Sequence, residues 1–312
     1  MTMKIAPLTL KATIRNYVWG GRALQALASP DTAAETPIAE VWAVYEHNQV
    51  ASGPFAGKTL AEILQDHGDE ILGTKGNGRF PLLIKLLDCA RWLSLQVHPN
   101  DEMAVKLEGP GFMGKTEAWY ILEAEEKAEL IAGIKENTSA EALAEAIRGG
   151  EKILELVEYH NVGKGDTVFM PARTIHALGP GLLVYEVQQT SDLTYRVFDW
   201  NRPMTGGREL HIDKSLAVSD PQARGQIRRA GQAGSSLITC DYFHLERLTA
   251  PEMRDTRGES FHALTVISGQ AQLQTEHGVQ TLKQFDSVII PAGLGKYELQ
   301  GDFQILCSSV GS

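Results

Sequence analysis

The feature that most constrains how this chain can fold is an internal repeat. Residues 165–176, GDTVFMPARTIH, align with residues 285–296, FDSVIIPAGLGK: Asp166 matches Asp286, Val168 matches Val288, and Pro171-Ala172 matches Pro291-Ala292, at a constant offset of 120 residues. Glu117-Ala-Trp-Tyr-Ile-Leu matches His262-Ala-Leu-Thr-Val-Ile at an offset of 145. The two offsets differ by 25 residues, about the length of a helical pattern at 138–160 that interrupts only the first copy. Two copies of one β unit, with helices inserted in the first, explain this economically.

The local patterns agree. Residues 4–22 read as one or two strands closed by Gly20-Gly21, Ser29 to Pro37 as loop, and IAEVWAVYEHNQV as strand. Thr59-Leu-Ala-Glu62 is a capping box that predicts a helix from about 60 to 66, extendable to Leu72, with Leu60, Ile63 and Leu64 facing a sheet. Residues 80–97 read as two strands joined by a turn near Asp88 to Arg91, followed by a short helix from Asn100 to about Leu107. Thr138-Ser-Ala-Glu141 reads as a second capping box, and EKILELVEYH as a further short helix. From Gly163 onward the pattern is strands and turns to the end.

One stretch carries the chemistry. In LSLQVHPND, Gln96 and His98 stand two apart in a strand and so leave the same face. Glu117 opens the apolar AWYIL strand, and His176 ends the first copy of the repeat. Two imidazoles, a carboxylate and an amide oxygen at strand ends are a donor set that suits zinc and would accept manganese, iron or cobalt.

The Gly-x5-Pro-x4-His pattern ending at His176 resembles the second motif of cupins, and Gln96-x-His98 with Glu117 resembles the first, with Gln in place of the usual first His. Cupins are double-stranded β-helices, small jelly-roll barrels with a metal in the mouth. Across NYVWGG, LLIKLLDCARWLSLQVHPND, GKTEAWYIL, FMPARTIHALGPGLLVYEVQQTSDLTYRVFDWNR and HIDKSL, the chain resembles the short bacterial form of type I mannose-6-phosphate isomerase. The resemblance implies a mainly β protein of two cupin barrels: a metal-binding catalytic domain over 1–230 and a metal-free domain over 231–312, where Lys296 replaces the ligand His. It implies Gln96, His98, Glu117 and His176 as ligands of one divalent ion, zinc by first preference. It assigns Lys115 and Arg196 as electrostatic and proton-transfer helpers, and Lys85 and Ser94 as donors to the substrate phosphate. For the base, Glu186 in VYEVQQ and a metal-bound water both stay open.

The expected reaction is therefore interconversion of mannose 6-phosphate and fructose 6-phosphate through a cis-enediol. A cupin iron oxygenase and a non-catalytic sugar-phosphate-binding cupin are the rivals, because one fold hosts many chemistries. Composition narrows the partners. A net charge of −10 without a basic stripe argues against nucleic acid, and the chain lacks the run of about 18 apolar residues that a membrane span needs. Cys89, Cys240 and Cys307 have no CxxC spacing, and no secretory pattern opens the chain. Both points favour a cytoplasmic protein with reduced thiols, monomeric or homodimeric.

Overall fold

The two copies of the repeat use the same strand register. In the computed structural model, which describes residues 4–28, 36–204, 207–232 and 234–311, Glu117 pairs with Met170 and Trp119 with Val168. In the second copy His262 pairs with Ile290 and Leu264 with Val288. These are the partners that offsets of 145 and 120 demand. The protein is mainly β, with the helices confined to short segments.

The chain folds into two compact units: Met1–Ile14, Val41–Lys85 and Ala233–Ser312 form one, Arg15–Glu40 and Leu86–Gln232 the other. It crosses between them within strands Thr13–Arg15, Glu40–Val44 and Leu82–Cys89. Residues 41–85, which a division at 230 would give to the first domain, thus lie with the C-terminal unit.

In the second of these units a five-stranded antiparallel sheet runs in the order Tyr195–Phe198, Leu95–Val97, His176–Leu178, Glu129–Ile134, Val157–Asn161. Strand alternation gives it two buried faces. Leu95, Val97, Ile131, Ala177, Tyr195 and Val197 pack with Leu143, Ala146, Ile147, Ile153 and Val218 from the helical segments. Leu130, Ala132 and Leu178 turn the other way, against Trp119, Ile121, Val168, Met170, Leu182 and Val184 of the strands Glu117–Ala124, Thr167–Met170 and Leu182–Gln189. The unit is a two-sheet sandwich with helices over one outer face, a layering in which each apolar face has a cover.

The C-terminal unit holds an eight-stranded antiparallel sheet dominated by His262–Thr275 and Lys296–Val310. Its main path ends at the edge strands Leu8–Thr9 and Ser236–Thr239. Among the described residues neither unit closes into a ring of strands: the jelly-roll pairing expected from sequence is realised as two open facing sheets in one unit and one open sheet in the other, and not as closed barrels.

Several local expectations need adjusting. The first capping box is present in full around Thr59 and Glu62, and its helix runs Leu60–Leu72 with a kink at His67. The helix expected from the second capping box, Ala140–Arg148, is capped one residue later than the motif suggests: Ser139 accepts from Ala142 N–H, while Thr138 donates to the Lys135 carbonyl. EKILELVEYH is not a helix throughout. A 3-10 segment at Gly150–Glu155 gives way to strand Val157–Asn161, because pairing with Glu129–Ile134 outweighs local helix preference there. A helix at Ile212–Val218 also interrupts the all-strand pattern expected after Gly163. The loop expected at Ser29 to Pro37 lies, over 29–35, outside the described residues.

Candidate metal centre

The row of side chains across the five-stranded sheet sets the site. Gln96 is paired on one side with His176 and on the other with Arg196. Leu95, Val97, Tyr195 and Val197 are committed to the helix-covered face, so alternation sends Gln96 and Arg196 to the inner one. Glu117 comes from the facing sheet, on the same face as Trp119 and Ile121. Gln188 pairs with Glu117, and Glu186 with Trp119, in the adjacent strand.

His98, Glu117 and His176 present ligand atoms within 4.8 Å of one another, all three side chains fully buried. His176 Nε2 lies 3.1 Å from Glu117 Oε1, and His98 Nε2 lies 3.5 Å from Glu117 Oε2. Each imidazole is oriented from behind. His98 Nδ1 donates to the Leu193 carbonyl at 2.7 Å and His176 Nδ1 to the Thr174 carbonyl at 2.8 Å. A carbonyl can only accept, so the proton is on Nδ1 and Nε2 faces the cluster, the arrangement that metal-binding histidines adopt.

The carboxylate at the centre is short of hydrogen-bond donors. Glu117 Oε1 and Oε2 are buried without a hydrogen-bond donor of proper direction. Lys115 supplies a cation nearby, its Nζ 2.8 Å from Glu117 Oε2 and 3.0 Å from His98 Nε2. Burial pushes the Glu117 carboxyl up, but Lys115, His98 and His176 together hold it well below the usual carboxylate range. Burial, with Lys115, drives His98 down to about 3, so its imidazole is neutral near pH 7. Two inward imidazole nitrogens and an under-donated carboxylate fit a single metal ion. Gln96 stands beside them with its amide Nε2 3.2 Å from His176 Nε2, while Ser94 donates to its Oε1 at 3.4 Å. A half turn of the amide would present Oε1 to the cluster instead.

The other sequence-selected residues are placed as follows. Glu186 is buried and accepts from Trp119 Nε1 at 2.8 Å. Arg196 is half-buried. Its Nε has no hydrogen-bond partner among the described residues, and burial, with Arg208 nearby, lowers its pKa. It does not pair with Asp199, which is held by Arg202 and Arg208. Lys85 lies in the other compact unit, buried, its ammonium 5.2 Å from the Trp42 ring centre.

Sequence reasoning missed the strap that sets Lys115. Asp101 accepts from Gly114 N–H and from the Gln189 amide, Gln189 accepts from Thr116 N–H, and Ser191 donates to the Met113 carbonyl. The Asp in HPND was the available signal. His211 also escaped notice: its Nδ1 accepts from Arg196 N–H and its own N–H donates to the Arg196 carbonyl, fixing that residue's backbone.

Fold and site together are those of a cupin-type protein whose buried His98–Glu117–His176 group fits a single metal ion. Residues 8–142 match the family model for the catalytic domain of type I phosphomannose isomerase, and residues 234–310 match the cupin domain of mannose-6-phosphate isomerase. Over 98% of its length the chain is 34% identical to the mannose-6-phosphate isomerase ManA of Bacillus subtilis, covering 99% of that protein. It is 32% identical to the mannose-6-phosphate isomerase of Streptococcus mutans, over 97% of this chain and 98% of that one. A crystal structure of the mannose 6-phosphate isomerase from Bacillus subtilis superposes with a TM-score of 0.87 at 33% identity, covering 97% of this chain and 99% of that one. The chain belongs to the type I mannose-6-phosphate isomerase family.

Proposed function

We propose that this chain interconverts mannose 6-phosphate and fructose 6-phosphate through a cis-enediol, using one divalent metal ion held by His98, Glu117, His176 and Gln96. The observation that supports it best is the buried His98–Glu117–His176 group with Lys115 against it, in a chain of this family. The bound ion would act as a Lewis acid on the substrate oxygens. Zinc is the first choice for this donor set, with manganese, cobalt and iron next.

The residues divide the remaining work. An aldose-to-ketose shift moves a proton between C1 and C2 and builds negative charge on two adjacent oxygens. Lys115 and Arg196 would stabilise that charge, Lys115 from a buried position where a fixed cation counts for more than in solvent. Glu186, held by Trp119 Nε1–H, is the side chain best suited to carry the proton. Ser94 and Lys85 would take the phosphate, Lys85 as a compact charge.

The metal site would belong to the domain expected over 1–230, and 231–312 would hold no metal. The enzyme would work in the cytoplasm as a monomer or homodimer, without nucleic acid or membrane partners; among the described residues no helix is long and apolar enough to cross a membrane. The relatives are named as isomerases, which disfavours the oxygenase and the non-catalytic binder.

The test is conversion of mannose 6-phosphate before and after chelation, with zinc, manganese, cobalt and iron restored one at a time. Activity should vanish with chelator and return with a single metal. No conversion by the folded, metal-replete protein would refute the assignment.

A further inference from the structure

The C-terminal unit carries a cavity of about 740 Å³ at the place where the repeat puts the metal centre in the other unit. His262, the register equivalent of Glu117, lines it, and so does Lys296, the counterpart of His176. The exchange inverts the chemistry. Where one copy offers a carboxylate and an imidazole to a cation, the other offers an imidazole and an ammonium.

The rest of the lining keeps that sign. Glu246, the carboxylate nearest the histidines, is already taken: His244 Nε2 lies 3.2 Å and Arg254 2.5 Å from its oxygens. Asp255 Oδ1 accepts from Arg257 N–H at 2.8 Å, and His262 Nδ1 shares a hydrogen bond with the Tyr297 hydroxyl. The ammonium groups of Lys75 and Lys296 and the Arg257 guanidinium have no hydrogen bond or ion pair among the described residues. Against these three cations stand two lining carboxylates that no cation pairs among the described residues, Asp255 and Glu259, so the lining keeps an excess of positive charge. A positive pocket in a chain of net charge −10 is not an accident of overall composition.

We infer that this cavity is a second binding site, for a small phosphorylated molecule, formed where the repeat has lost its metal ligands. Its volume falls in the range of roughly 300–1,000 Å³ usual for small-ligand sites. Two lysines as point charges and an arginine fork suit a phosphate group at one end of such a ligand. The inference goes beyond the isomerase reading and does not depend on it.

Inorganic phosphate is the probe, titrated at fixed ionic strength into the metal-loaded full chain and followed by backbone amide NMR. The expected result is saturable shifts at the amides of His262, Lys296 and Arg257. In the double variant R257A/K296A the apparent Kd should weaken at least tenfold and those shifts collapse. The charge-matched variant K58A/K283A should titrate as the parent does, and kcat/KM for isomerisation should stay within twofold of the parent's in both variants. Absence of shifts in the parent, or equal shifts in R257A/K296A, would overturn the proposal. Citrate moving these amides where phosphate does not would overturn the phosphate assignment. None of the binding readouts uses turnover, so a failed isomerase assay leaves the binding result to be judged by itself.

Discussion

His98 and Arg196 respond to truncation in opposite ways. His98→Ala deletes an inward Nε2 whose orientation depends on the Leu193 carbonyl, and should lose bound metal and activity together. Arg196→Ala leaves all three metal-facing groups intact and should keep full metal content while kcat falls about 10²–10³-fold, the usual cost of losing one charge-stabilising group. Metal analysis alongside kcat separates the two; near-normal kcat in the Arg196 variant would end its catalytic assignment. Glu186→Gln keeps the size of the side chain and should also retain metal, with kcat lowered by about 10²–10⁴-fold if that carboxylate carries the proton. At this scale the grouping of His98, Glu117 and His176 was legible. His98, Glu117 and His176 announce themselves through strand parity and the repeat, because side-chain direction in a strand is a parity rule. What orients them was not legible, since the Leu193 and Thr174 carbonyls are backbone atoms that any residue could supply.

Among the elements, the segment between the first ligand strand and Glu117 is the most tightly specified. Gly114 lies so close to the start of the helix Asp101–Glu108 that an added Cβ would stand 2.5 Å from the Asn100 carbonyl carbon. Gly114→Ala must therefore push the segment outward, break the bond from Gly114 N–H to Asp101, and carry Lys115 away from Glu117. We expect kcat/KM to fall at least tenfold with far-UV circular dichroism unchanged, and metal retained. A variant with parental kinetics would show that Lys115 does not need this placement. The elements that sequence missed share a physical cause. Val157–Asn161 is decided by long-range pairing with Glu129–Ile134, and Ile212–Val218 is short and begins at His211 without a side-chain cap. The helices with a side-chain N-cap at a predicted start, Leu60–Leu72 with its full capping box and Ala140–Arg148 with Ser139, were readable because their start signals are local.

For the whole molecule, the unit built from the second copy carries an acid sensitivity of its own, beside the one that His98 and Glu117 give the other unit. His262 is held down to about 4, by burial first and Arg254 next, from an ordinary value of 6.5. The unfolded chain therefore binds a proton at this position between pH 6.5 and about 4 that the folded chain refuses, so stability must fall as pH drops through that window. Glu246 extends the decline. Hydrogen bonding from His244 and the charge of Arg254 lower it to about 2 from 4.5, and its contribution, present above 4.5, is lost as pH falls toward 2. His262→Gln removes the first group and retains a polar side chain near the Tyr297 hydroxyl. Thermal unfolding of the parent and of this variant at pH 7, 6, 5 and 4.5 should show the variant's midpoint declining less steeply over that range, while Glu246 keeps the two curves falling together below it. Parallel curves from pH 7 to 4.5 would mean that His262 takes up its proton without cost, and that the cavity around it is more open to water than its burial indicates.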